Sequence, residues 1–341
     1  RGESGGKPVF TNVTIEDFTC DMTNGSLDTA AHAEHCLKTN NVNGLILSNI
    51  RTKGGSICGI VLGNGTQNVQ MDNIHIARSN WGLIIGSHSH PTVLNTTQTR
   101  AFNINNLTVT NDGATNTDKR SLTIQQGYDS AGGLARFLPE AITVSNFVLE
   151  GKIVFYHITL ASPVTDTARN IVLSNGVVYD RFFQVDPGYV VGQPIRGLQM
   201  SNVTFYSGTV AEGWGSELLH IGDATGNVAV VGGQFTNLVF HGHRTHPIQV
   251  EPGSTDNSFS HITSINGNPT AVANQAVIKN EGSRNSFTDI SLLGTHAVDW
   301  FYRSSTDIKH AVSRVRGTPV LTAGLFLENQ TAFAAGDPGS P

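Results

Sequence analysis

A short hydrophobic phrase returns down almost the whole chain at intervals of roughly 23 to 40 residues, and such a repeat confines the chain to coils stacked on coils. It reads Cys36-Leu37-Lys38-Thr39, Gly59-Ile60-Val61-Leu62, Gly82-Leu83-Ile84-Ile85, Leu122-Thr123-Ile124-Gln125, Val154-Phe155-Tyr156-His157 and Phe182-Phe183-Gln184-Val185. It continues as Leu218-Leu219-His220-Ile221, Pro247-Ile248-Gln249-Val250, Val277-Ile278-Lys279-Asn280, Trp300-Phe301-Tyr302-Arg303 and Leu325-Phe326-Leu327-Glu328. A second phrase, apolar alternation opened or closed by Asn, falls between the copies. Examples are Asn12-Val13-Thr14-Ile15, Leu45-Ile46-Leu47-Ser48-Asn49 and Ile171-Val172-Leu173-Ser174-Asn175, with fainter versions at Ser260-His261-Ile262 and Phe287-Thr288-Asp289-Ile290.

Period-two alternation buries every second side chain of a strand and leaves the others wet, so these phrases predict two or three short strands per coil and an all-β parallel solenoid. The 37 glycines and the abundant Asn, Ser and Thr suit a chain that must turn sharply on every coil. Helical spacing is sustained nowhere; only His32 to Leu37 and the stretch near Trp214 are candidates for a turn or two of helix. A length of 341 residues would ordinarily suggest two domains, but stacked repeats have no natural seam, so one domain is expected over 10–328. Residues 1–9 and 329–341 are expected to be loose ends. No signal peptide opens the chain, and no apolar run approaches the ~20 residues needed to cross a bilayer, so the expectation is a soluble, processed or excised chain without membrane insertion.

A formal net charge of −5, with 21 scattered Lys and Arg, argues against nucleic acid as a partner. Cys20, Cys36 and Cys58 are odd in number and allow at most one disulfide; buried free thiols are expected. Sequons such as Asn12-Val13-Thr14 and Asn106-Leu107-Thr108 carry little weight in a chain so rich in their constituents. Gly2-Glu3-Ser4-Gly5-Gly6 has the text of a nucleophile elbow without the strand and helix it needs. His241-Gly242-His243-Arg244-Thr245-His246 has ligand residue types at close spacing, but polar loop histidines are the simpler reading, so no metal set is expected.

Aligning the first phrase gives an inward column of Leu37, Ile60, Leu83, Thr123, Phe155, Phe183, Leu219, Ile248, Ile278, Phe301 and Phe326. The outward column beside it runs Lys38, Val61, Ile84, Ile124 and Tyr156, then turns polar as Gln184, His220, Gln249, Lys279 and Tyr302. Two residues on, the next outward position gives Asp186, Gly222 with Asp223 beside it, Glu251 and Glu281. Coils lie about 4.8 Å apart, so Glu251 and Glu281 are expected roughly 5 Å apart and Asp186 roughly 10 Å from Glu251. Those spacings bracket the carboxyl separations of retaining and inverting glycosidases. Carboxylates on one wall are expected to raise one another's pKa, as a general acid requires. Asp186, Glu251 and Glu281 are therefore the catalytic candidates, and Gln184, His220, Asp223, Gln249, Lys279 and Tyr302 the substrate-binding ones. A solvated polar face is the alternative.

The connections at Gly86 to Arg100, Gly127 to Pro139 and Asp186 to Pro194 are long, while those at Pro252 to Asp256 and Gly282 to Ser283 are short. Long loops on one corner would rim an open groove suited to an extended polymer. Tyr128, Tyr156, Tyr189, Trp214, Trp300 and Tyr302 are candidates for stacking on sugar rings, or for packing.

The coil phrases over roughly 10–328, with Asn49, Asn73, Asn106, Asn146, Asn175 and Asn202 at corners, resemble the right-handed parallel β-helix proteins of the pectate-lyase-like superfamily, closest in style to phage tailspike depolymerases. The resemblance implies a single-stranded right-handed parallel β-helix of about eleven coils. It further implies a secreted or virion-borne, extracellular protein that hydrolyses a polysaccharide without a cofactor, as a homotrimer in the tailspike manner. The polygalacturonase signature is absent. The runner-up is elimination on a uronate-containing glycan, with Lys279 and Arg303 as basic groups and Ca²⁺ held by Glu251 and Glu281. Fructotransferase-like transfer and a non-catalytic glycan-binding adhesin or spike are further alternatives.

Overall fold

A computed structural model describes residues 10–22, 35–54, 58–63, 65–86, 99–110, 119–125, 139–156, 168–179, 183–186, 194–207, 218–222, 229–242, 246–267, 276–296, 299–303, 311–317 and 320–321. The chain is all-β and forms a parallel β-helix, packed as two compact units, Arg1–Gly176 with Asp186–Gln193 and Val177–Val185 with Pro194–Pro341. In the first unit a sheet of long strands runs in the order Phe10–Glu16, Val42–Lys53, Gln67–Ala77, Arg100–Thr110, Glu140–Leu149 and then Arg169–Tyr179, whose last residues belong to the second unit. A sheet of short strands stacks His35–Thr39, Cys58–Leu62, Trp81–Ile85, Arg120–Gln125 and Lys152–Tyr156. The second unit repeats the plan, with long strands Ile195–Tyr206, Gln234–His241, Ser258–Ile265, Ser286–Leu293 and Ala311–Gly317. Its short strands are Leu219–Ile221, Ile248–Val250, Ala276–Asn280 and Asp299–Arg303. His35 to Leu37, a candidate helix from the sequence, is strand, and the Trp214 segment lies outside the described residues.

Ten long strands bend at a left-handed residue within them or just past their end. These are Asp17, Asn49, Asn73, Asn106, Asn146 and Asn175 in the first unit, and Asn202, Asn237, His261 and Asp289 in the second, with φ between 51° and 56°. An L-residue pays roughly 1–2 kcal/mol there, and Asn tolerates it best because its side chain bonds locally. Here the amides also bond from coil to coil: Asn49 Nδ2 donates to Asp17 (3.0 Å), Asn73 to Asn49 (2.7 Å) and Asn237 to Asn202 (2.7 Å). The corner asparagines read from the sequence are this ladder.

Between corners, residues of one face stack in register. Phe235, Phe259 and Phe287 are fully buried, with ring centroids 4.7 and 4.8 Å apart. In the first unit the Phe147 ring fills the space that a side chain at position 176 would need; a Cβ there would lie 2.0 Å from it, so only Gly176 fits.

Three expectations about the first unit are corrected. Leu37, Ile60 and Leu83 align as expected, but the column continues through Leu122 and Ile153, so Thr123 is displaced from it by one residue and Phe155 by two. The cause is visible in the burial: Val61 and Ile84 of the expected outward column, and Thr123 and Val154, which stand in register with them in place of Ile124 and Tyr156, are as buried as their neighbours, so apolarity cannot report parity in a sheet covered on both faces. Cys58, Val61 and Ile84 form a buried cluster with Trp81 packed against it. Finally, Cys20 and Cys36 are joined in a disulfide, with Cα atoms 5.8 Å apart, and only Cys58 is a buried free thiol.

Candidate functional site

The polar residues of the second unit's short-strand sheet meet as the alignment expects. His220 lies beside Gln249, Gln249 beside Lys279 and Lys279 beside Tyr302 in backbone register, with Gln184 on the other side of His220. The backbone ladder runs one residue past two of these strands, since Glu251 N–H donates to the Ile221 carbonyl (2.8 Å) and Glu281 N–H to that of Val250 (2.7 Å). Glu251 and Glu281 thus stand two residues beyond Gln249 and Lys279, on the same face and on adjacent coils.

Short, stiff turns fix both glutamates. Behind Glu251, Ser254 N–H returns to the Glu251 carbonyl (3.2 Å), and behind Glu281 a Cβ at Gly282 would lie 2.1 Å from the Ser254 carbonyl oxygen. A buried amide network braces these turns. Asn285 Oδ1 accepts from the Asn257 backbone and side chain (both 3.0 Å), and its Nδ2 donates to the Ser254 carbonyl and to Asn280 (both 3.1 Å).

Glu251 is the centre of the site. It is 1% exposed, its Oε1 lies 2.7 Å from His220 Nε2, and the buried Gln249 amide donates to the same oxygen. Lys279 Nζ pairs with Glu281 Oε2 at 3.1 Å, and both are about one-fifth exposed. Burial pushes the Glu251 pKa up, but the hydrogen bond and charge of His220, a hydrogen bond with Glu281 and the Lys279 ammonium together hold it below the usual carboxylate value.

This departs from two expectations. The wall was expected to raise carboxyl pKa values; Glu251 is instead held ionised, because His220 and Lys279 outweigh its desolvation. Moreover, each carboxylate is already engaged, Glu251 by His220 and Gln249 and Glu281 by Lys279, where an acid and a base would each have to face a glycosidic bond. For Gln184 and Tyr302 the backbone lies where the alignment puts it, and their side chains are outside the description; Asp186 closes the strand Phe183–Asp186 without a described side chain, and Asp223 is wholly outside the description. The same holds for the three long connections and for Tyr128, Tyr189 and Trp214. Glu251 and Glu281 are poorly suited to Ca²⁺, since each is already engaged by a cationic or imidazole side chain, and no three His, Cys, Asp or Glu among the described residues group as ligands.

Sequence reasoning overlooked one feature of the second unit's outer face. Tyr179 stacks on Tyr206 (centroids 5.1 Å apart) and Tyr206 on His241 (4.6 Å). The signal was present: Val178-Tyr179, Phe205-Tyr206 and Phe240-His241 close successive long strands in the same way.

No family profile and no curated protein matches the chain. Among solved structures it is similar to the crystal structure of PfbA, a surface adhesin of Streptococcus pneumoniae, at 12% identity and a TM-score of 0.45, over 92% of this chain and 75% of that one. No helix among the described residues is long and apolar enough to cross a membrane.

Proposed function

We propose that the protein is an extracellular, non-catalytic glycan-binding β-helix. In this reading a polysaccharide lies across the row formed by His220, Lys279 and Glu281, with Glu251 and Gln249 buried beneath as the groups that hold the row in place. The observation that carries it is that both carboxylates are already engaged, Glu251 by His220 and Gln249 and Glu281 by Lys279. Carboxylates held in this way by His220, Gln249 and Lys279 form a fixed set of donors and acceptors, unlike an acid and base placed on either side of a scissile bond. The Cys20–Cys36 disulfide supports an oxidising, extracellular setting.

Hydrolysis is the second reading, and the His220–Glu251 contact favours it. A buried carboxylate on one ring nitrogen orients the imidazole, and the other nitrogen can then take a proton from water. Elimination is weaker, because the Lys279 ammonium is paired with Glu281. The test is a panel of neutral and acidic polysaccharides, with binding read by affinity electrophoresis and turnover by reducing ends and unsaturated-uronate absorbance. Retarded migration without turnover, abolished for the acidic polysaccharides by Lys279→Ala, is expected. New reducing ends that disappear in His220→Ala would replace binding by hydrolysis.

A further inference from the structure

A second surface of the same unit points to a ligand of different chemistry. Tyr206 lies beside His241, His241 beside Ile265 and Ile265 beside Leu293, while Tyr179 stacks on Tyr206 from the preceding coil. Tyr179, Tyr206 and Leu293 are 40, 37 and 44% exposed. Five coils at about 4.8 Å make a continuous stripe about 19 Å long, apolar and aromatic apart from the His241 imidazole. The outward row beside it is Thr204, Val239, Thr263 and Ser291. From Tyr179 to Leu293 neither row carries a carboxylate, ammonium or guanidinium, unlike the His220 row.

The dimensions choose the occupant. A stripe one side chain wide is far too narrow for the roughly 800 Å² that each partner buries in a stable protein interface. Peptide addition as an extra strand needs a free sheet edge, but here the strands on either side are already paired in parallel and the stripe lies on the sheet's face. What fits is a single thin chain, uncharged and repeating, with apolar C–H patches alternating with hydroxyls. The rings stack on each other, so they present edges and hydroxyl tips rather than faces. Such edges, with Ile265 and Leu293, suit C–H patches, while Tyr hydroxyls, Thr204, Thr263 and Ser291 supply hydrogen bonds.

We propose that the Tyr179–Tyr206–His241–Ile265–Leu293 stripe binds a neutral polysaccharide chain running along the stack of coils, at a site separate from the His220 row. The probes are β-1,4-linked hexasaccharides of glucose, N-acetylglucosamine and mannose, titrated calorimetrically into the whole protein. At least one is expected to bind, and Leu293→Asp, which leaves the ring stack intact, should weaken it about ten-fold or more. Tyr206→Phe, which keeps the stack and removes one hydroxyl, should weaken it less. The proposal is overturned if no hexasaccharide binds, if Leu293→Asp binds as well as wild type, or if only Lys279→Ala loses binding. That last result would still support the His220 row. A dimer that Leu293→Asp dissociates in sedimentation would also overturn it, by making the stripe a contact between copies.

Discussion

Replacing Glu251 tests the central geometric claim, that a buried, ionised carboxylate organises the polar row. In Glu251→Leu the Gln249 amide loses its acceptor while remaining buried, which costs about 1–3 kcal/mol, and His220 loses a charge-assisted hydrogen bond of about 1.5–3 kcal/mol. The two losses share one oxygen and do not simply add, so about 3–5 kcal/mol is expected, as for removal of one partner from a buried pair. Glu251→Gln keeps an acceptor oxygen and should cost only about 1–2 kcal/mol. The pH dependence has a definite sign. The folded pKa of Glu251 is depressed, so its contribution is fully present above the unfolded value of 4.5 and is lost as pH falls through the lower folded value. Urea denaturation followed by circular dichroism at pH 7 and at several steps below pH 4.5 measures both effects. The stability gap between wild type and Glu251→Gln should shrink on acidification. A gap that stays constant down to pH 3, or a Leu variant as stable as wild type, would refute the picture of an ionised, buried Glu251.

Other perturbations reach the scaffold. Asn73→Ala puts an unsuited residue at φ 56° and removes the bond to Asn49, so a loss of about 1–3 kcal/mol in denaturant midpoint experiments is expected, with Asn73→Gly less harmful. Phe259→Ala opens the ring column between Phe235 and Phe287 and should cost about 3–5 kcal/mol by the same measurement. Gly176→Ala drives a methyl into the Phe147 ring and should lower the melting temperature through overpacking of about 1–3 kcal/mol. Reducing Cys20–Cys36, which are 16 residues apart, should destabilise by about 3 kcal/mol, whereas Cys58 should react with maleimide only after unfolding, because burial raises its pKa and hides it.

The sequence by itself determined the architecture. Period-two phrases at coil spacing, with Asn at the bends, specify stacked parallel strands because each signal is local: alternation selects strand, and the left-handed corner selects Asn. The row His220, Gln249, Lys279 with Glu251 and Glu281 was legible for the same reason, since coil register is written in the apolar residues Leu219, Ile248 and Ile278. The early columns were misread at Thr123 because both faces of that sheet are buried and polarity then carries no parity, and at Phe155 by a two-residue slip between equally apolar positions. Only the tertiary structure decided that Cys20 meets Cys36, that Tyr179, Tyr206 and His241 stack, and that Glu251 is buried and ionised in contact with Glu281. Side-chain reach, cover and charge balance are properties of neighbours from other coils, and no single stretch of sequence records them.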